Sequence, residues 1–170
     1  KLPYISKKLC GKSRPIFFQG ICMVVLRLLN IINPHQLFLG EKDFQQYSIL
    51  KTMAADLFLS VDVLSGPIIR DKNGLALSSR NAYLSTTQKK DASIIFKSFN
   101  QIKKNFEKGE ISSNSLINTV KKDIKSKGIE IDYFKIVNPT TFSAKQNVSI
   151  GDRIMFAGYL NKTRLIDNMS

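Results

Sequence analysis

The sequence predicts an α/β fold in two parts: a segment of parallel strands covered by helices, then a small α+β segment with two helices and a short antiparallel sheet. Helical and extended patterns alternate up to Gly66, and this alternation is typical of parallel strands joined by helices. Gly66 and Pro67 then open a polar stretch without periodicity, which indicates a boundary. We therefore expect two domains, residues 1–67 and 68–170.

The first helix is predicted over 19–33, because apolar residues recur there at helical spacing and Pro34 ends the pattern. Arg27 and Asn30 interrupt the longest apolar run, 21–32, which is shorter than the roughly 18 residues of a membrane span. We therefore expect a soluble protein with no membrane partner. The apolar stripe that makes this helix amphipathic consists of Ile21, Val24, Val25, Leu28, Ile31 and Ile32.

A strand, a helix and a second strand follow. The apolar run 36–39 ends at Gly40, a helical pattern opens at Asp43, and residues 60–64 have the composition of a strand. In sheets of this kind, ligands bind beyond the carboxyl ends of the parallel strands. We therefore expect a site in the segment that leaves the first strand.

The second part begins with a polar loop and continues with two helices, the second of which ends before Gly128. Residues 129–133 alternate between apolar and polar, and strands over 153–159 and 164–167 flank a turn. Asn161, in that turn, tolerates the positive φ that such turns often require. The helical stripes are Ile95, Phe99, Ile102 and Phe106, and then Leu116, Val120 and Ile124.

Composition indicates a globular protein. The 170 residues are 43% apolar and 23% charged, which allows a core that needs neither disulfides nor metals. The two cysteines, Cys10 and Cys22, lack the spacing of a disulfide framework or a zinc site. We expect both to be free thiols in a reducing cytoplasm.

The charge favours an anionic partner: 26 Lys and Arg stand against 13 Asp and Glu, a net charge of +13. Nucleic acid, a membrane surface and phosphorylated small molecules all fit this balance. The lysines lie on predicted helical surfaces without the interleaved aromatic residues or arginines of a base-stacking surface. A solvated face is therefore favoured over a nucleic-acid site. Examples are Lys89, Lys90, Lys97, Lys103 and Lys104.

The segment 40–46 is the first candidate site. Gly40 allows the backbone to approach a ligand, and the start of a helix favours anions. Lys42 supplies a mobile positive charge, and Asp43 can accept hydrogen bonds from ribose hydroxyls. These residues read as a nucleotide cradle. The alternative is that Asp43 only caps the helix and Lys42 is only solvated.

The segment 74–81 is the second candidate site. The hydroxyls of Ser78 and Ser79 can bind phosphate oxygens, and Arg80 can neutralise charge on a leaving pyrophosphate. The nearby Gly74 allows such a loop to close. The alternative is a polar linker whose serines cap a turn.

Three sequence motifs in order together resemble the pantoate–beta-alanine ligase family. They are GEKDFQQ at 40–46, GLALSSRNAYLS at 74–85 and AGYLNKTRLIDN at 157–168. The resemblance covers the chain from LCGKSRP, which begins at Leu9, to its end. It implies an enzyme that joins pantoate to beta-alanine with ATP and Mg²⁺ through a pantoyl-adenylate intermediate, releasing pyrophosphate and then AMP.

The resemblance also implies the fold and the roles of the site residues. Residues 1–67 would be the C-terminal part of a Rossmann-like nucleotidyltransferase domain, and 68–170 a lid domain. Gly40 and Asp43 would hold the ATP ribose, and Lys42 its phosphates. Gln46 would bind pantoate.

The other ATP contacts implied by the resemblance lie in the second part of the chain. The backbone around Ile69 would bind adenine. Ser78, Ser79 and Arg80 correspond to the family's version of the KMSKS loop and would bind the triphosphate. Lys42, Ser78, Ser79 and Arg80 would be catalytic. Lys42 and Arg80 suit this role because bringing two anions together needs cations rather than an acid–base pair. No protein metal ligand is expected, since Mg²⁺ would arrive with the ATP phosphates.

The sequence departs from the family pattern at several points. The HxGH motif of the family is missing, and the only histidine, His35, is expected at a surface turn. Ile16 and Phe17 follow Pro15 where the family has Gly-His, and Asn161 replaces a hairpin glycine. The resemblance therefore implies a C-terminal piece, inactive alone, of a cytoplasmic homodimer.

Two other functions stay open at this point. One is a lid or assembly domain without catalysis of its own, whose ATP binding would vanish without the family's N-terminal half. The other is a basic nucleic-acid-binding module, whose affinity would fall steeply with salt.

Overall fold

The computed structural model describes residues 2–170. It divides into two compact units, and the break between them falls between Pro67 and Ile68. The first unit holds a parallel two-stranded sheet with helices, and the second holds an antiparallel three-stranded sheet with helices. The predicted α/β class, with parallel strands followed by an antiparallel sheet, is confirmed.

The first unit follows the predicted order of helix, strand, helix and strand. Its strands β1 and β2 pair in parallel, with Gln36 opposite Asp62 and Gly40 opposite Gly66. Both strands therefore end at the same edge of the sheet. The elements are α1 (Cys10–Ser13), α2 (Phe17–Ile32), β1 (Gln36–Gly40), α3 (Phe44–Asp56) and β2 (Asp62–Gly66), with short 3₁₀ helices at Tyr4–Lys7 and Glu41–Asp43.

Helix α2 is confirmed, but its predicted apolar stripe is not its buried face. The helix ends where Asn33 takes a left-handed conformation (φ 48°) before Pro34. Its buried residues are Phe18, Cys22 and Leu29, whereas Ile31 in the stripe is 79% exposed. The reason is that α2 packs on α3 through a face rotated away from the stripe. None of the helices in the described part of the chain is long and apolar enough to cross a membrane.

Both cysteines of the first unit are buried free thiols. Burial raises the pKa of the Cys22 thiol above its ordinary value. Helix α3 supplies much of the remaining core, through Ile49, Leu50 and Met53. His35 is exposed in the bend before β1, as predicted.

The second unit packs its helices against the sheet β3–β4–β5. Adjacent strands are antiparallel, and a two-residue turn joins β4 to β5. Asn161 has a φ of 52° in that turn, which confirms the predicted positive φ. The elements are a 3₁₀ helix at Ser79–Tyr83, α4 (Thr86–Ala92), α5 (Ile94–Glu107), α6 (Ser113–Ser126), β3 (Ile129–Val137), β4 (Arg153–Leu160) and β5 (Thr163–Met169).

Two features of the second unit differ from the expectation. Helix α4 adds a short third helix, which the capping box of Ser85 and Gln88 starts. In β3, the pairing with β4 shifts between Ile131 and Tyr133. The apolar–polar alternation therefore changes phase, and Phe134 is buried while Tyr133 is only half-buried. Residues of α5, α6 and the sheet share one core; examples are Ile95, Phe99, Leu116, Ile124, Ile136 and Phe156.

Candidate functional site

Gly40 lies at the carboxyl end of β1, where the chain turns into the 3₁₀ helix Glu41–Asp43 and then α3. Its φ of −72° is one that any residue adopts. A Cβ added at Gly40 would meet none of the described atoms within 4 Å. The position is therefore open space at a strand end, where a ligand can approach the backbone.

Lys42 and Asp43 face each other beside this space. Lys42 Nζ lies 3.6 Å from Asp43 Oδ2, and the side chains are 14% and 46% exposed. The structure gives Asp43 no side-chain capping hydrogen bond to α3. Asp43 thus occupies the N-cap position of α3 without a side-chain capping hydrogen bond, and its proposed role in nucleotide binding stays a prediction. Lys42 is held against the protein, and the Asp43 carboxylate remains accessible.

Gln45 lies in the first candidate segment, 40–46, and was given no role in the sequence analysis. Its Nε2 donates to the carbonyl oxygens of Ile5 and Lys8, both at 2.8 Å, and its Oε1 accepts from the Cys10 amide at 3.2 Å. Gln45 is buried, whereas Gln46 is half-buried. These three hydrogen bonds tie residues 5–10 to α3. The signal in the sequence was the pair of glutamines at a helix start, of which only one can face outward.

The backbone around residues 9–11 packs closely against residue 6. Leu9 has a φ of 41°, and a Cβ added at Gly11 would lie 1.7 Å from the Ser6 carbonyl oxygen. Gly11 is therefore required for close packing. At the departure from the family pattern, Ile16 has an ordinary φ of −92°, so replacing a glycine there costs no backbone strain. The Arg14 guanidinium carbon stacks 3.7 Å from the centre of the Phe17 ring.

In the second unit, Arg70 holds the loop that precedes the serine pair. Arg70 Nη1 donates to Asp167 Oδ2 at 2.5 Å and Nη2 to Oδ1 at 2.9 Å; Nη1 also donates to the Gly74 carbonyl at 3.1 Å. The guanidinium carbon lies 4.1 Å from the centre of the Phe96 ring. Arg70 therefore fastens the loop to strand β5.

Gly74 makes this loop possible. Its φ is 94°, and an added Cβ would lie 2.5 Å from Phe96 Cδ1. Asp71 Oδ1 completes the turn by accepting from the amides of Asn73 at 2.8 Å and Leu75 at 3.0 Å. The predicted need for glycine is thus explained by backbone conformation and by a close neighbour.

The two predicted phosphate-binding serines, Ser78 and Ser79, have different surroundings in the structure. Ser78 Oγ accepts from the Arg80 amide at 3.3 Å and caps the 3₁₀ helix Ser79–Tyr83, so the capping interpretation holds for Ser78. Ser79 and Arg80 are exposed. Ile69 is also exposed, and its carbonyl accepts from the Leu77 amide at 2.9 Å.

The structure thus places the predicted site residues in two groups. One group lies at the end of β1 in the first unit, and the other lies in the loop and 3₁₀ helix of the second unit. Over residues 2–170, no group of three or more His, Cys, Asp or Glu side chains could hold a metal ion. The first group consists of Gly40, Lys42, Asp43 and Gln46; the second consists of Ile69, Ser78, Ser79 and Arg80.

Sequence comparisons agree with the motifs. The protein-family model described as pantoate-beta-alanine ligase matches residues 1–170. A pantothenate synthetase of Clostridium botulinum (strain Loch Maree / Type A3) is 41% identical over 170 residues, which cover 98% of this chain and 59% of that protein. One from Caldicellulosiruptor bescii is 41% identical over 166 residues, covering 97% of this chain and 59% of that protein. The chain therefore spans about three fifths of the length of these curated relatives.

Solved structures agree as well. Pantothenate synthetase from Thermus thermophilus has a TM-score of 0.92 and 32% identity, covering 97% of this chain and 60% of that one. Pantoate-beta-alanine ligase from Francisella tularensis, complexed with beta-gamma ATP and beta-alanine, has a TM-score of 0.77 and 34% identity. This second match covers 99% of this chain and 56% of the other.

Proposed function

The chain belongs to the pantoate–beta-alanine ligase family, and from this premise we propose that it carries the ATP-binding part of an enzyme that joins pantoate to beta-alanine. In the first step, a pantoate carboxylate oxygen attacks the α-phosphorus of ATP, and pyrophosphate leaves. In the second step, the beta-alanine amine attacks the acyl carbon of pantoyl adenylate. The new amide bond forms, the acyl–phosphate bond breaks, a proton leaves the nitrogen, and AMP departs.

The observation that carries this proposal is the geometry at the end of β1. Lys42 is held there with only 14% of its side chain exposed, next to the open space at Gly40. A positioned cation beside an accessible backbone suits a polyphosphate chain. The accessible Asp43 carboxylate suits ribose hydroxyls, and Gln46, half-buried on the first turn of α3, is proposed to bind pantoate.

The other proposed ATP contacts lie in the second unit. We assign the triphosphate to Ser78, Ser79 and Arg80, and adenine to the backbone around Ile69. Because Ser78 Oγ already caps a helical turn, its proposed part is to hold Ser79 and Arg80 in place as well as to offer its remaining lone pair. The exposed Arg80 guanidinium would neutralise charge on the leaving pyrophosphate.

Neither step requires a nucleophilic side chain. The first step joins two anions, and the second needs a neutral amine held against an activated acyl group. Positioning and positive charge can supply the catalysis. Mg²⁺ binds phosphates together with one or two carboxylates, and we propose that it arrives bound to the ATP phosphates. When bound, Mg²⁺ would supply further neutralisation of phosphate charge.

The remaining assignments follow from the family. We propose that residues 1–67 are the C-terminal part of a Rossmann-like nucleotide-binding domain, that 68–170 form a lid, and that the whole enzyme is a cytoplasmic homodimer. Since no HxGH motif stands in this sequence, we also propose that the 170 residues alone do not ligate.

The test is pantothenate formation from pantoate, beta-alanine and ATP, followed by mass spectrometry. One sample is the 170-residue chain. The other is a fusion in which the part of the Clostridium botulinum relative outside the matched region precedes residue 1. We expect product and equimolar AMP from the fusion and none from the chain alone. A folded fusion that forms no AMP would refute the proposed function and would leave a non-catalytic assembly domain.

A further inference from the structure

A cleft of about 550 Å³ lies in the second unit between the Ser79–Tyr83 helix, the start of α4 and the β4–β5 turn. This volume lies within the range of small-molecule sites, about 300–1,000 Å³. Three different elements contribute residues to the walls of the cleft. It is lined by Arg80, Tyr83, Leu84, Gln88, Leu160 and residues 161–164.

The cleft is strongly positive. Arg80, Lys162 and Arg164 line it, and none of its described lining residues is acidic. Arg164 Nη2 donates to Asp132 Oδ2 at 2.7 Å, and the Arg164 side chain is only 12% exposed. The ion pair therefore holds Arg164 in one orientation. Arg80 and Lys162 add two further positive charges to the walls of the cleft.

The walls also supply rigidity and neutral donors. Leu160 and Thr163 pair across the two-residue turn, which fixes Lys162 at its tip. Gln88 Oε1 accepts from the Ser85 amide at 2.8 Å, so the Gln88 amide nitrogen remains as a donor. The buried Leu84 closes the floor. An anion with several oxygens would find fixed partners here.

We propose that this cleft binds a diphosphate group, with Lys162 and Arg164 as ligands in addition to Arg80. Arginine forks match phosphate oxygens in pairs, and lysine adds a point charge. This inference rests on the proposed function, which generates a diphosphate in two forms. The group is either the β- and γ-phosphates of ATP or the pyrophosphate that leaves in the first step.

The test is calorimetric titration of the 170-residue chain with inorganic pyrophosphate. Lys162→Ala weakens binding about tenfold, the size of one charge-assisted hydrogen bond. The matched control is Lys122→Ala, which removes the same charge from the exposed face of α6, away from the cleft. The control changes affinity less than twofold. Circular dichroism and melting of both variants verify that they fold.

Titrations with ATP and AMP identify the source of the diphosphate. If ATP competes with pyrophosphate and AMP does not, the cleft takes the phosphates of the nucleotide; if neither competes, it takes the released product. Both results support a diphosphate site. Equal weakening by Lys162→Ala and Lys122→Ala, competition by AMP as strong as by ATP, or absence of pyrophosphate binding would overturn it.

The outcome is separable from that of the proposed function, because binding is measured without ligation. If pyrophosphate binds through Lys162 but the fusion does not ligate, the proposed function is refuted and the anion site stands. Ligation by the fusion, together with no effect of Lys162, would do the reverse.

Discussion

Asp167→Asn tests whether the ion pair between Arg70 and Asp167 holds the loop before Ser78 in place. The Asp167 side chain is 4% exposed and its partner Arg70 is 15% exposed. The carboxylate accepts two hydrogen bonds from Arg70 and one from the Asn168 amide at 2.8 Å. The substitution keeps the shape of the side chain but removes its charge and one acceptor, so a guanidinium stays buried without its counter-ion.

The expected cost is about 3 kcal/mol. Breaking a buried ion pair by removing one partner costs about 3–5 kcal/mol. Arg70 keeps its bond to the Gly74 carbonyl and its place over the Phe96 ring, which favours the lower end. With a urea m-value of about 2 kcal/mol/M, the unfolding midpoint falls by about 1.5 M.

Urea unfolding followed by circular dichroism measures this shift, with Asp123→Asn on the exposed side of α6 as the matched control. The control moves the midpoint by less than about 0.3 M, as surface substitutions do. In the double variant with Arg70→Met, the loss is smaller than the sum of the single losses. A midpoint for Asp167→Asn equal to that of Asp123→Asn would refute the claim that this pair fastens the loop.

Three further substitutions test other contacts. Gln45→Ala removes three hydrogen bonds that tie residues 5–10 to α3, although the carbonyls of Ile5 and Lys8 keep their backbone donors. The loss costs about 2–3 kcal/mol and speeds tryptic cleavage within residues 7–12. Gly74→Ala costs about 2–4 kcal/mol in thermal unfolding, from its φ of 94° and the contact with Phe96. Glu110→Gln loses stability at neutral pH but not in acid. The hydroxyl of Ser115 and the amide of residue 112 lower the pKa of Glu110 from its ordinary value. The wild-type advantage is therefore present above the pKa of the unfolded state and disappears as the pH falls through the pKa of the folded state.

The matched controls are Gln46→Ala, Gly109→Ala and Glu107→Gln. Gly109 has a φ of 98° but no described neighbour within 4 Å of an added Cβ, so its substitution isolates backbone strain. A Gly109→Ala loss as large as that of Gly74→Ala would rule out the contact with Phe96 as a cause. A Gln45→Ala loss no larger than that of Gln46→Ala would remove the anchoring role. A wild-type advantage over Glu110→Gln that persists unchanged in acid would contradict the assignment of that advantage to the ionised carboxylate of Glu110.

Local patterns were enough to predict most elements. The period of the apolar residues identified α3, α5 and α6, and strand composition with turn residues identified both sheets. The bulge in β3 was not predictable, because the partner strand sets a register shift and Asp132 looks ordinary in its own strand. The exposed stripe of α2 was also missed, since periodicity predicts which residues share a face but not which face finds a partner.

The site was predictable only in part for the same reason. The residue types at 40–46 and 74–81 pointed to phosphate chemistry, but whether their side chains cap helices could be decided only from geometry. Asp43 occupies an N-cap position without a side-chain hydrogen bond, whereas the Ser78 hydroxyl accepts one. The Gln45 anchor joins residues 35 to 40 positions apart, and the Arg70–Asp167 pair joins residues 97 apart. A short stretch of sequence does not indicate which distant residue will be the hydrogen-bond partner. The assignment of residues to ATP and pantoate stays a prediction.

The measurement that tests the central claim most directly is kcat and KM for ATP of the fusion enzyme with Lys42→Ala. The control is Lys51→Ala, which removes the same charge from the exposed face of α3 in the same unit. Loss of one positioned transition-state contact lowers kcat by about 10²–10³, and we predict this for Lys42→Ala with little change for Lys51→Ala. If Lys42→Ala ligates as fast as Lys51→Ala, with the same KM for ATP, the segment that ends β1 does not hold the phosphates and the account is wrong.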